Sequence, residues 1–266
     1  MAVRLVALDI DGTIVPIGAA DGWRPSLRLS DAIAALRADG VIVVLASGRM
    51  FPGTAAVARQ LGLHAPVICQ QGCAIHTIDG RIIHKFPIER GAALEVIGYA
   101  KEGDHVYEWF DPTRYVASRR NPSSDEYGRV SGIKPEYRVD PENSDFQPTG
   151  VGIISSPEEA NGIHRTLTSR HGESLHVLDF PAVTVAVAPE ANKGHALSLI
   201  CEDLGIARGA TVAVGDSVND AAMLAWAGRG FAMPGADRYA REAADEVLGV
   251  DAGDPLAALL ETIAAW

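Results

Sequence analysis

Solid runs of apolar residues alternate with helix-like stretches in the first part of the chain. Such runs are typical of strands buried on both faces of a parallel sheet, and they lie at residues 4–10, 41–46 and 65–69. Between them, apolar positions recur at helical spacing over residues 30–39, where Ser30 is the predicted N-cap, and over residues 52–61. Strand, helix, strand, helix, strand is the order of an open parallel sheet.

The pattern changes in the middle of the chain. From about residue 81, apolar and polar positions alternate, which is typical of antiparallel strands with one buried face. Residues 106–110 and 115–118 flank Asp111-Pro112-Thr113 and predict a hairpin. The polar residues 121–148 predict mainly loop with short pieces of structure. The remaining elements are a helix at residues 157–170 and strands at residues 150–154, 174–179 and 183–188.

The first pattern returns near Asn192. A helix is predicted from that residue to about Leu204, because Gly205 ends its apolar periodicity. A solid apolar strand follows at residues 211–214, and a further helix is predicted at residues 219–226.

The parallel sheet is therefore split in the sequence. We predict an α/β fold in which residues 1–80 and 189–266 form a Rossmann-like open parallel sheet core, and residues 81–188 form an inserted α+β domain. The length of 266 residues, with 47% apolar residues, is sufficient for two domains that each bury a core.

The formal net charge of −11 narrows the possible partners. A strongly acidic chain repels nucleic acid, and a site for an anionic metabolite must then be locally positive. No apolar stretch reaches the roughly 18 residues of a membrane helix, and the N-terminus turns acidic too early for a signal peptide. We expect a cytoplasmic protein that acts on a small molecule, without nucleic acid or membrane; the sequence indicates no obligate protein partner.

The cysteines are few and unevenly spaced. Three of them, Cys69, Cys73 and Cys201, do not make a disulfide framework. Cys69 and Cys73 resemble half of a metal site, but the sequence has no second pair. We therefore predict three buried or half-buried thiols.

Polar side chains collect where the predicted parallel strands end. In an open α/β sheet, ligands bind at the carboxyl ends of the strands. The segments there are Asp9-Ile10-Asp11-Gly12-Thr13, Ser47-Gly48-Arg49 and Gly215-Asp216-Ser217-Val218-Asn219-Asp220, with Asn192-Lys193-Gly194 at a helix N-terminus. Each segment alone is compatible with turn acids, a helix cap or a solvated lysine, but their common location predicts a site.

The acids indicate the chemistry of this site. Asp9 and Asp11 lie two residues apart after a buried strand, where burial and mutual repulsion penalise both charges. A bound cation, or protonation of one acid, relieves that cost. Oxygen ligands suit Mg²⁺ better than zinc, and the eight histidines are scattered along the chain. Backbone N–H groups at the start of the helix that carries Lys193 favour an anion such as phosphate.

With these segments the sequence resembles the haloacid dehalogenase (HAD) superfamily, and within it the Cof-like phosphatases with a type-IIB cap. Residues 9–13 are similar to the first motif of that family, DxDGT, and residues 215–224 to the fourth, GDxxNDxxML. Residues 46–49 and 192–194 are similar to the second and third motifs. Such proteins carry their cap between the second and third motifs, so the resemblance extends over the whole chain.

The resemblance implies a Mg²⁺-dependent phosphatase that hydrolyses phosphomonoesters of small metabolites, with sugar phosphates favoured, through an aspartyl-phosphate intermediate. Asp9 is the implied nucleophile, and Asp11 the acid that protonates the leaving oxygen and then activates water. The implied metal ligands are Asp9, the backbone carbonyl of Asp11 and Asp216, with Asn219 and Asp220 supporting the metal and orienting Lys193. The implied phosphate-binding residues are Asp11, Gly12, Ser47, Gly48, Lys193 and Asn219.

Two segments depart from the family pattern. Gln71-Gly72 stands where Asn-Gly is usual, and residues 232–236 read AMPGA instead of AMGNA. Both segments border the substrate entrance in such proteins, so the departures leave the substrate open while the four motifs stay intact.

Three alternatives remain at this point. A phosphoglycolate-type phosphatase is one. A phosphomutase of the same superfamily is another, and would need a second phosphate-binding surface, for which Arg114, Arg119 and Arg120 are candidates. The third is a non-enzymatic phospho-acceptor signalling module, which also uses carboxylates, Mg²⁺ and a lysine. Its acids are usually adjacent, whereas here they are two residues apart.

Overall fold

The computed structural model describes residues 2–20, 22–250 and 253–264. In chain order, the strands are β1 (Leu5–Leu8), β2 (Ile42–Leu45), β3 (Val67–Cys69), β4 (Ala74–His76), β5 (Ile82–Lys85), β6 (Val106–Phe110), β7 (Tyr115–Ala117), β8 (Glu136–Tyr137), β9 (Gly150–Ile154), β10 (His176–Phe180), β11 (Val183–Val187), β12 (Thr211–Gly215), β13 (Arg229–Ala232) and β14 (Glu246–Val247). The helices are α1 (Leu27–Ala38), α2 (Phe51–Gln60), α3 (Arg90–Glu102), α4 (Pro122–Ser131), α5 (Pro157–His171), α6 (Lys193–Asp203), α7 (Ala221–Trp226), α8 (Arg238–Ala243) and α9 (Pro255–Ile263).

The core is a five-stranded parallel sheet in the order β14-β13-β12-β1-β2. Side chains alternate along β1, so that Val6 and Leu8 pack on the face covered by α1 and α9, while Leu5 and Ala7 pack on the face covered by α6 and α7. Because both faces are covered, the strand reads as one solid apolar run in the sequence. The predicted open parallel sheet is confirmed.

The third predicted strand has a different partner from the one expected. β3 joins β2 through a single parallel bridge between Ala46 and Ile68, and its main partner is the antiparallel β4. β5, which lies after residue 80, pairs in turn with β4. A tight turn at Gln70–Gly72 separates β3 from β4, with Gln71 in a left-handed conformation at φ 63°.

A second sheet is built from the inserted segment, in the order β10-β11-β9-β6-β7-β8. Its pairs are antiparallel except for β7 with β8. One face packs on α3 and α5, where Tyr107 and Trp109 of β6 are buried. The opposite face carries Phe110 and Tyr115, which belong to the same apolar cluster as Met50 of the core. The inserted sheet therefore presents one face to the end of the parallel sheet.

Several predicted boundaries were wrong for identifiable reasons. Helix α1 begins at Leu27, because Ser26 and not Ser30 accepts the capping hydrogen bond, from the N–H of Leu29. The stretch 121–148, predicted as mainly loop, contains the ten-residue helix α4.

The signals that mark α4 are all in the sequence. Asn121 caps the helix, Pro122 is its first residue, and Gly132 ends it in the left-handed conformation. The helix carries few apolar side chains, and for that reason the hydrophobic pattern did not show it. Helix α3, also unpredicted, begins at Arg90 after Glu89, which is not among the usual capping residues.

The cysteine prediction is confirmed. All three thiols are buried and unpaired, and burial raises the pKa of Cys69 to about 12. In the ranges the structure covers, no helix combines the length and apolar character needed to cross a membrane.

Candidate active site

Lys193 and two aspartates form a fully buried ion cluster at the carboxyl end of the parallel sheet. Asp9 directly follows β1, and Lys193 is the first residue of α6, which Asn192 caps. The Lys193 ammonium donates hydrogen bonds to Asp9 Oδ1 and Asp220 Oδ1, each at 2.6 Å. The Lys193 side chain has no exposed surface, so it serves these carboxylates and not the solvent.

Asp220 is fixed by a second set of contacts. Its Oδ2 accepts hydrogen bonds from the backbone N–H groups of Asp216 and Ser217, at 3.0 and 3.1 Å. Both of its oxygens are therefore occupied by protein donors. Asp220 is thereby positioned to orient Lys193. The resemblance implied this role for both Asn219 and Asp220.

Asp9, Asp216 and Asp220 bring ligand atoms within 4.8 Å of one another. Two of the oxygens in this group, Asp9 Oδ2 and Asp216 Oδ1, are buried and have no hydrogen-bond partner among the described residues. Unpaired buried carboxylate oxygens are costly, and hard oxygen ligands are what Mg²⁺ takes. These residues thus fit a divalent cation. The side chain of Asp11, whose backbone carbonyl was the predicted ligand, lies outside this group.

Burial, and then repulsion between the carboxylates, shifts the pKa values of the acids in this cluster. Burial raises the pKa of Asp9 well above its ordinary value, and the neighbouring carboxylates of Asp220 and Asp216 add to this against the opposing effect of Lys193. Burial and Asp220 raise the pKa of Asp216 to about 7. Burial lowers the pKa of Lys193, but Asp220 and Asp9 outweigh it, so the pKa is raised and the lysine stays charged. Three carboxylates against one ammonium leave room for a cation.

Asp11 points away from the buried cluster and is held by Arg49. The guanidinium donates from Nε to Asp11 Oδ2 at 2.7 Å and from Nη2 to Asp11 Oδ1. The Asp11 side chain is about half exposed, 47%, and lines the mouth of the cleft. Arg49 was not assigned a role from the sequence. Its position next to Ser47-Gly48 was the available signal.

Of the predicted phosphate-binding residues, Asp11, Gly48 and Asn219 line the cleft, whereas Gly12, Ser47 and Lys193 are not among its lining residues. Ser47 is fully buried, and its Oγ accepts from the N–H of Arg49 at 3.1 Å. Gly48 accepts from the Tyr127 hydroxyl of the inserted segment through its carbonyl, at 3.1 Å. Asn219 donates to Gln71 Oε1, so the Gln71 departure from the family pattern is bonded directly into the site. Among the described residues, the side-chain hydrogen bonds of Asn219 are with Ser217 and Gln71, and none joins it to Lys193.

Gly12 allows the backbone to approach Asp216 closely. Its φ is +92°, and a Cβ there would lie 2.2 Å from Asp216 Oδ2. Gly18 has a similar φ of +75° but nothing within 4 Å of its Cβ position. Both glycines therefore have a left-handed backbone that disfavours a side chain, but only at Gly12 would a Cβ also clash with a neighbouring residue.

We expect Gly12→Ala to lower turnover at this site by about 10²-fold, because Asp216 must move and misplacement by an ångström has that order of cost. Gly18→Ala is the matched control, since it carries the same left-handed backbone strain of about 1–2 kcal/mol. Activity and thermal unfolding of both variants are the measurements. Equal activity in the two variants would contradict a role for the Gly12–Asp216 contact.

Two adjacent cavities lie between the parallel sheet and the inserted sheet. The cleft, of about 480 Å³, is lined by Asp9, Asp11 and Asp216 and, from the inserted segment, by Tyr127 and Phe180. A second cavity of about 230 Å³, which we call the chamber, is lined mainly by side chains of the inserted sheet. The two cavities share four lining residues: Gly48, Gln71, Tyr127 and Phe180.

The chamber contains a buried carboxylate. Glu108 of β6 is 6% exposed, and its Oε1 accepts from the Tyr115 hydroxyl and from Ser124 Oγ. Burial raises the pKa of Glu108 to about 7, against the lowering effect of these two hydrogen bonds.

We expect Glu108 to make the free energy of unfolding depend on pH. Its carboxyl binds a proton more tightly in the folded state, with a pKa of about 7 against 4.5 in the unfolded chain. The stability that Glu108 contributes is therefore fully present below about pH 4.5 and is lost as pH rises through about 7, a change on the order of 3 kcal/mol. Urea unfolding of Glu108→Gln and the parent protein across this range tests it. A difference between the two proteins that does not vary with pH would contradict the assignment.

The arginines proposed for a second phosphate site are already paired. Arg114 binds Glu136 and Asp145, and Arg119 binds Asp104. Arg120 binds Asp125 at 3.2 Å. These pairs neutralise the positive charge that a phosphomutase would need there.

Fold and site together define a class of protein: an α/β enzyme whose parallel sheet ends in buried carboxylates and a lysine beneath an inserted sheet. Residues 6–260 match the haloacid dehalogenase-like hydrolase family, and the chain belongs to it. Among its relatives, phosphatase YwpJ of Bacillus subtilis (strain 168) is 26% identical, over 92% of this chain and 94% of that protein.

Two further comparisons cover nearly the whole chain. Phosphoglycolate phosphatase of Halorubrum lacusprofundi is 29% identical, over 96% of this chain and 95% of that protein. The solved structure of the HAD subclass IIB sugar phosphatase BT4131 has a TM-score of 0.81 at 18% identity, covering 97% of this chain and 98% of that one. The predicted superfamily, Cof-like class and fold are confirmed, and so is the enzyme class, a HAD-type hydrolase of phosphate esters.

Proposed function

We propose that the protein is a Mg²⁺-dependent phosphatase that hydrolyses phosphomonoesters of small metabolites through an aspartyl-phosphate on Asp9. The observation that carries this proposal is the state of the Asp9 carboxylate. One oxygen is held by Lys193 at 2.6 Å, while the other is buried, unpartnered and adjacent to Asp216 at the floor of the cleft. A nucleophilic carboxylate needs this combination of fixed orientation and one free oxygen.

The reaction divides into two halves. In the first, a carboxylate oxygen of Asp9 forms a bond to phosphorus while the bond to the leaving oxygen breaks, and Asp11 donates a proton to that oxygen. In the second, ionised Asp11 takes a proton from water, the water oxygen bonds to phosphorus, and the bond to Asp9 breaks, which releases phosphate and restores the enzyme. Arg49 keeps Asp11 at the mouth of the cleft, where leaving group and water enter.

Asp9, the backbone carbonyl of Asp11 and Asp216 would hold Mg²⁺. When bound, Mg²⁺ supplies charge neutralisation for the acids and the phosphoryl oxygens. Lys193 supplies a fixed positive charge on the opposite side of Asp9, and we assign phosphate contacts to Ser47, Gly48 and Asn219. This local positive charge is what an anionic substrate requires on a chain with net charge −11.

The inserted segment, residues 81–188, is proposed to be a cap that limits substrate size. Three hydrogen bonds join it to the core. The Tyr127 hydroxyl donates to the Gly48 carbonyl, and the Gln70 side-chain amide of the core donates to the Asp111 carbonyl. Ser131 Oγ accepts from the N–H of Met50. A cleft covered in this way favours small phosphometabolites over phosphoproteins. Sugar phosphates are the first class to test, because the structural relative BT4131 is described as a sugar phosphatase. We place the protein in the cytoplasm, in keeping with its three free thiols.

Phosphate release across a panel of phosphomonoesters tests the function. The panel includes sugar phosphates, phosphoglycolate and a generic aryl phosphate, with product analysis for isomerisation. Release of phosphate is expected, and isomerisation without release would indicate a mutase. A long-lived acyl-phosphate without turnover would indicate a signalling module.

We expect activity to require Mg²⁺ and to be inhibited by Ca²⁺. Mg²⁺ demands near-octahedral geometry, whereas Ca²⁺ accepts about 6–8 ligands and often binds carboxylates through both oxygens. Binding of Ca²⁺ through both oxygens of Asp9 would occupy the oxygen that has to attack phosphorus. The assay compares EDTA, Mg²⁺ and Ca²⁺, with thermal unfolding to register binding of each ion. Full activity in EDTA or in Ca²⁺ alone would refute the metal proposal.

A further inference from the structure

The chamber beside the catalytic cleft has an unusual combination of walls and polar groups. Its walls are apolar, formed by Phe110, Phe180, Val183 and Val185. A volume of about 230 Å³ is below the roughly 300–1,000 Å³ of typical ligand pockets. It has room for a compact group such as a single ring, and not for a nucleoside.

Two hydrogen-bond acceptors of residues that line the chamber have no partner among the described residues. Glu108 Oε2 receives no donor from the described residues, since both of its hydrogen bonds fall on Oε1. Gln70 Oε1 is buried without a partner. The Gln70 amide orientation follows from its contact with the carbonyl of Asp111, which only an N–H can make, at 2.9 Å.

The hydroxyl hydrogens of Tyr115, Ser124 and Tyr127 already have acceptors. Tyr115 and Ser124 donate to Glu108 Oε1, and Tyr127 donates to the carbonyl of Gly48. No lysine, arginine or histidine in the part of the chain that the structure describes forms an ion pair with Glu108. A carboxylate buried without a cation is expensive to maintain, so a positively charged group from outside the protein would be bound favourably.

The chamber lies next to the cleft. Gly48, Gln71, Tyr127 and Phe180 line both the chamber and the cleft that contains Asp9. A phosphomonoester with its phosphate at Asp9 would therefore have its alcohol portion close to the residues that the chamber and the cleft share.

We propose that the chamber is the leaving-group subsite and that Glu108 binds an ammonium group on a compact, largely apolar alcohol portion of the substrate. This inference rests on the proposed phosphatase function and narrows its substrate class to amine-bearing phosphomonoesters. Glu108 is a specificity-determining residue in this proposal and takes no part in the bond-breaking steps.

Three matched probes test the proposal: benzyl phosphates with a 4-aminomethyl, a 4-hydroxymethyl or a 4-methyl group. They have similar size, and the benzylic carbon separates the substituent from the reacting oxygen. At about pH 8 an alkyl ammonium, like that of lysine with a pKa of about 10.4, stays protonated, while Glu108 is mostly ionised. The measurement is kcat/KM for phosphate release with Mg²⁺.

The parent protein is expected to prefer the aminomethyl probe over the methyl probe by about 10- to 100-fold, the effect of one charge-assisted hydrogen bond. Glu108→Gln should reduce that preference to less than about threefold, because kcat/KM for the aminomethyl probe falls more than kcat/KM for the methyl probe. The control Glu173→Gln removes an equal charge from an exposed position of the inserted segment and should keep the preference.

A purely structural role for Glu108, holding Tyr115 and Ser124 in place, would change all three probes together and would overturn the proposal. Absence of the preference in the parent protein would also overturn it, whatever the variants do. If Glu108→Gln does not fold, Glu108→Asp keeps the charge, retracts it by one methylene and should still diminish the preference. Phosphate release at similar rates from all three probes would contradict only the proposed ammonium subsite. Absence of phosphate release from any phosphomonoester would contradict the proposed phosphatase function as well.

Discussion

Asp9→Asn is expected to lower turnover by on the order of 10⁴-fold or more, as removal of a nucleophile commonly does. An amide has nearly the shape of the carboxylate but does not attack phosphorus at a useful rate. In the parent protein, one oxygen of Asp9 is held by Lys193 and the other has no partner. The substitution therefore removes the reacting group and disturbs few other contacts.

The same substitution is expected to leave the fold intact. Burial and the carboxylates of Asp220 and Asp216 raise the pKa of Asp9, which means that its ionised form is disfavoured in the folded protein. Removal of that charge should keep or raise the melting temperature measured in EDTA. The loss of turnover is then attributable to chemistry and not to unfolding.

Phosphate release and thermal unfolding in EDTA are the two measurements. Asp31→Asn, an identical change at an exposed position of α1, is the control. Mass spectrometry of the variant excludes reversion of the asparagine to aspartate. Activity above a few per cent of the parent would reject Asp9 as nucleophile.

The chemistry-bearing part of the site was predictable because it lies on the most regular part of the fold. A solid apolar strand ending in Asp9, and a second ending in Asp216, have to meet at one edge of a parallel sheet. Backbone hydrogen bonding fixes that register, with Leu8 opposite Val214. Local sequence was therefore enough to bring these acids together.

The substrate-facing part could not be predicted in the same way. Whether Asp11 faces Asp9 or Arg49 depends on side-chain rotation, which leaves no periodic trace in a sequence. Glu108 reads as one polar residue in an alternating strand, where solvent exposure is the usual outcome. It faces a chamber only because α4 and β11 bring Ser124 and Val185 around it. These contacts join segments far apart in the chain.

Helix α4 connects the failure to predict a helix at this place with the failure to predict the substrate-facing residues. It was missed because it has few apolar residues, yet it supplies Tyr127 to the wall shared by cleft and chamber. Its polar composition suits a helix that lies over a cleft and does not pack an apolar face on a hydrophobic core. Residues that define substrate choice therefore lie where hydrophobic periodicity is least informative.

Lys193→Ala is expected to lower turnover by about two to three orders of magnitude, or about 3–4 kcal/mol, the typical cost of losing a preorganised charge at the site of developing negative charge. Lys193 is fully buried and bonds both Asp9 and Asp220 at 2.6 Å. Its ammonium is the positive charge held inside this cluster of three carboxylates.

The same variant is expected to lose stability, which distinguishes it from Asp9→Asn. Removal of the ammonium leaves three buried carboxylates uncompensated, and breaking a buried pair by deleting one partner costs about 3–5 kcal/mol. Mg²⁺ should offset part of this loss, because its charge replaces some of the missing compensation. The melting temperature of Lys193→Ala should accordingly rise more on Mg²⁺ addition than that of the parent protein.

Turnover at saturating substrate and melting temperature with and without Mg²⁺ decide the matter, with the exposed Lys134→Ala as control. Lys193→Arg adds a second comparison. It keeps the positive charge, so it should recover part of the stability. The larger planar guanidinium does not fit between two carboxylates positioned for an ammonium, so it should recover little turnover. A change in turnover below threefold in Lys193→Ala would show that the lysine only neutralises the buried acids and takes no part in phosphoryl transfer.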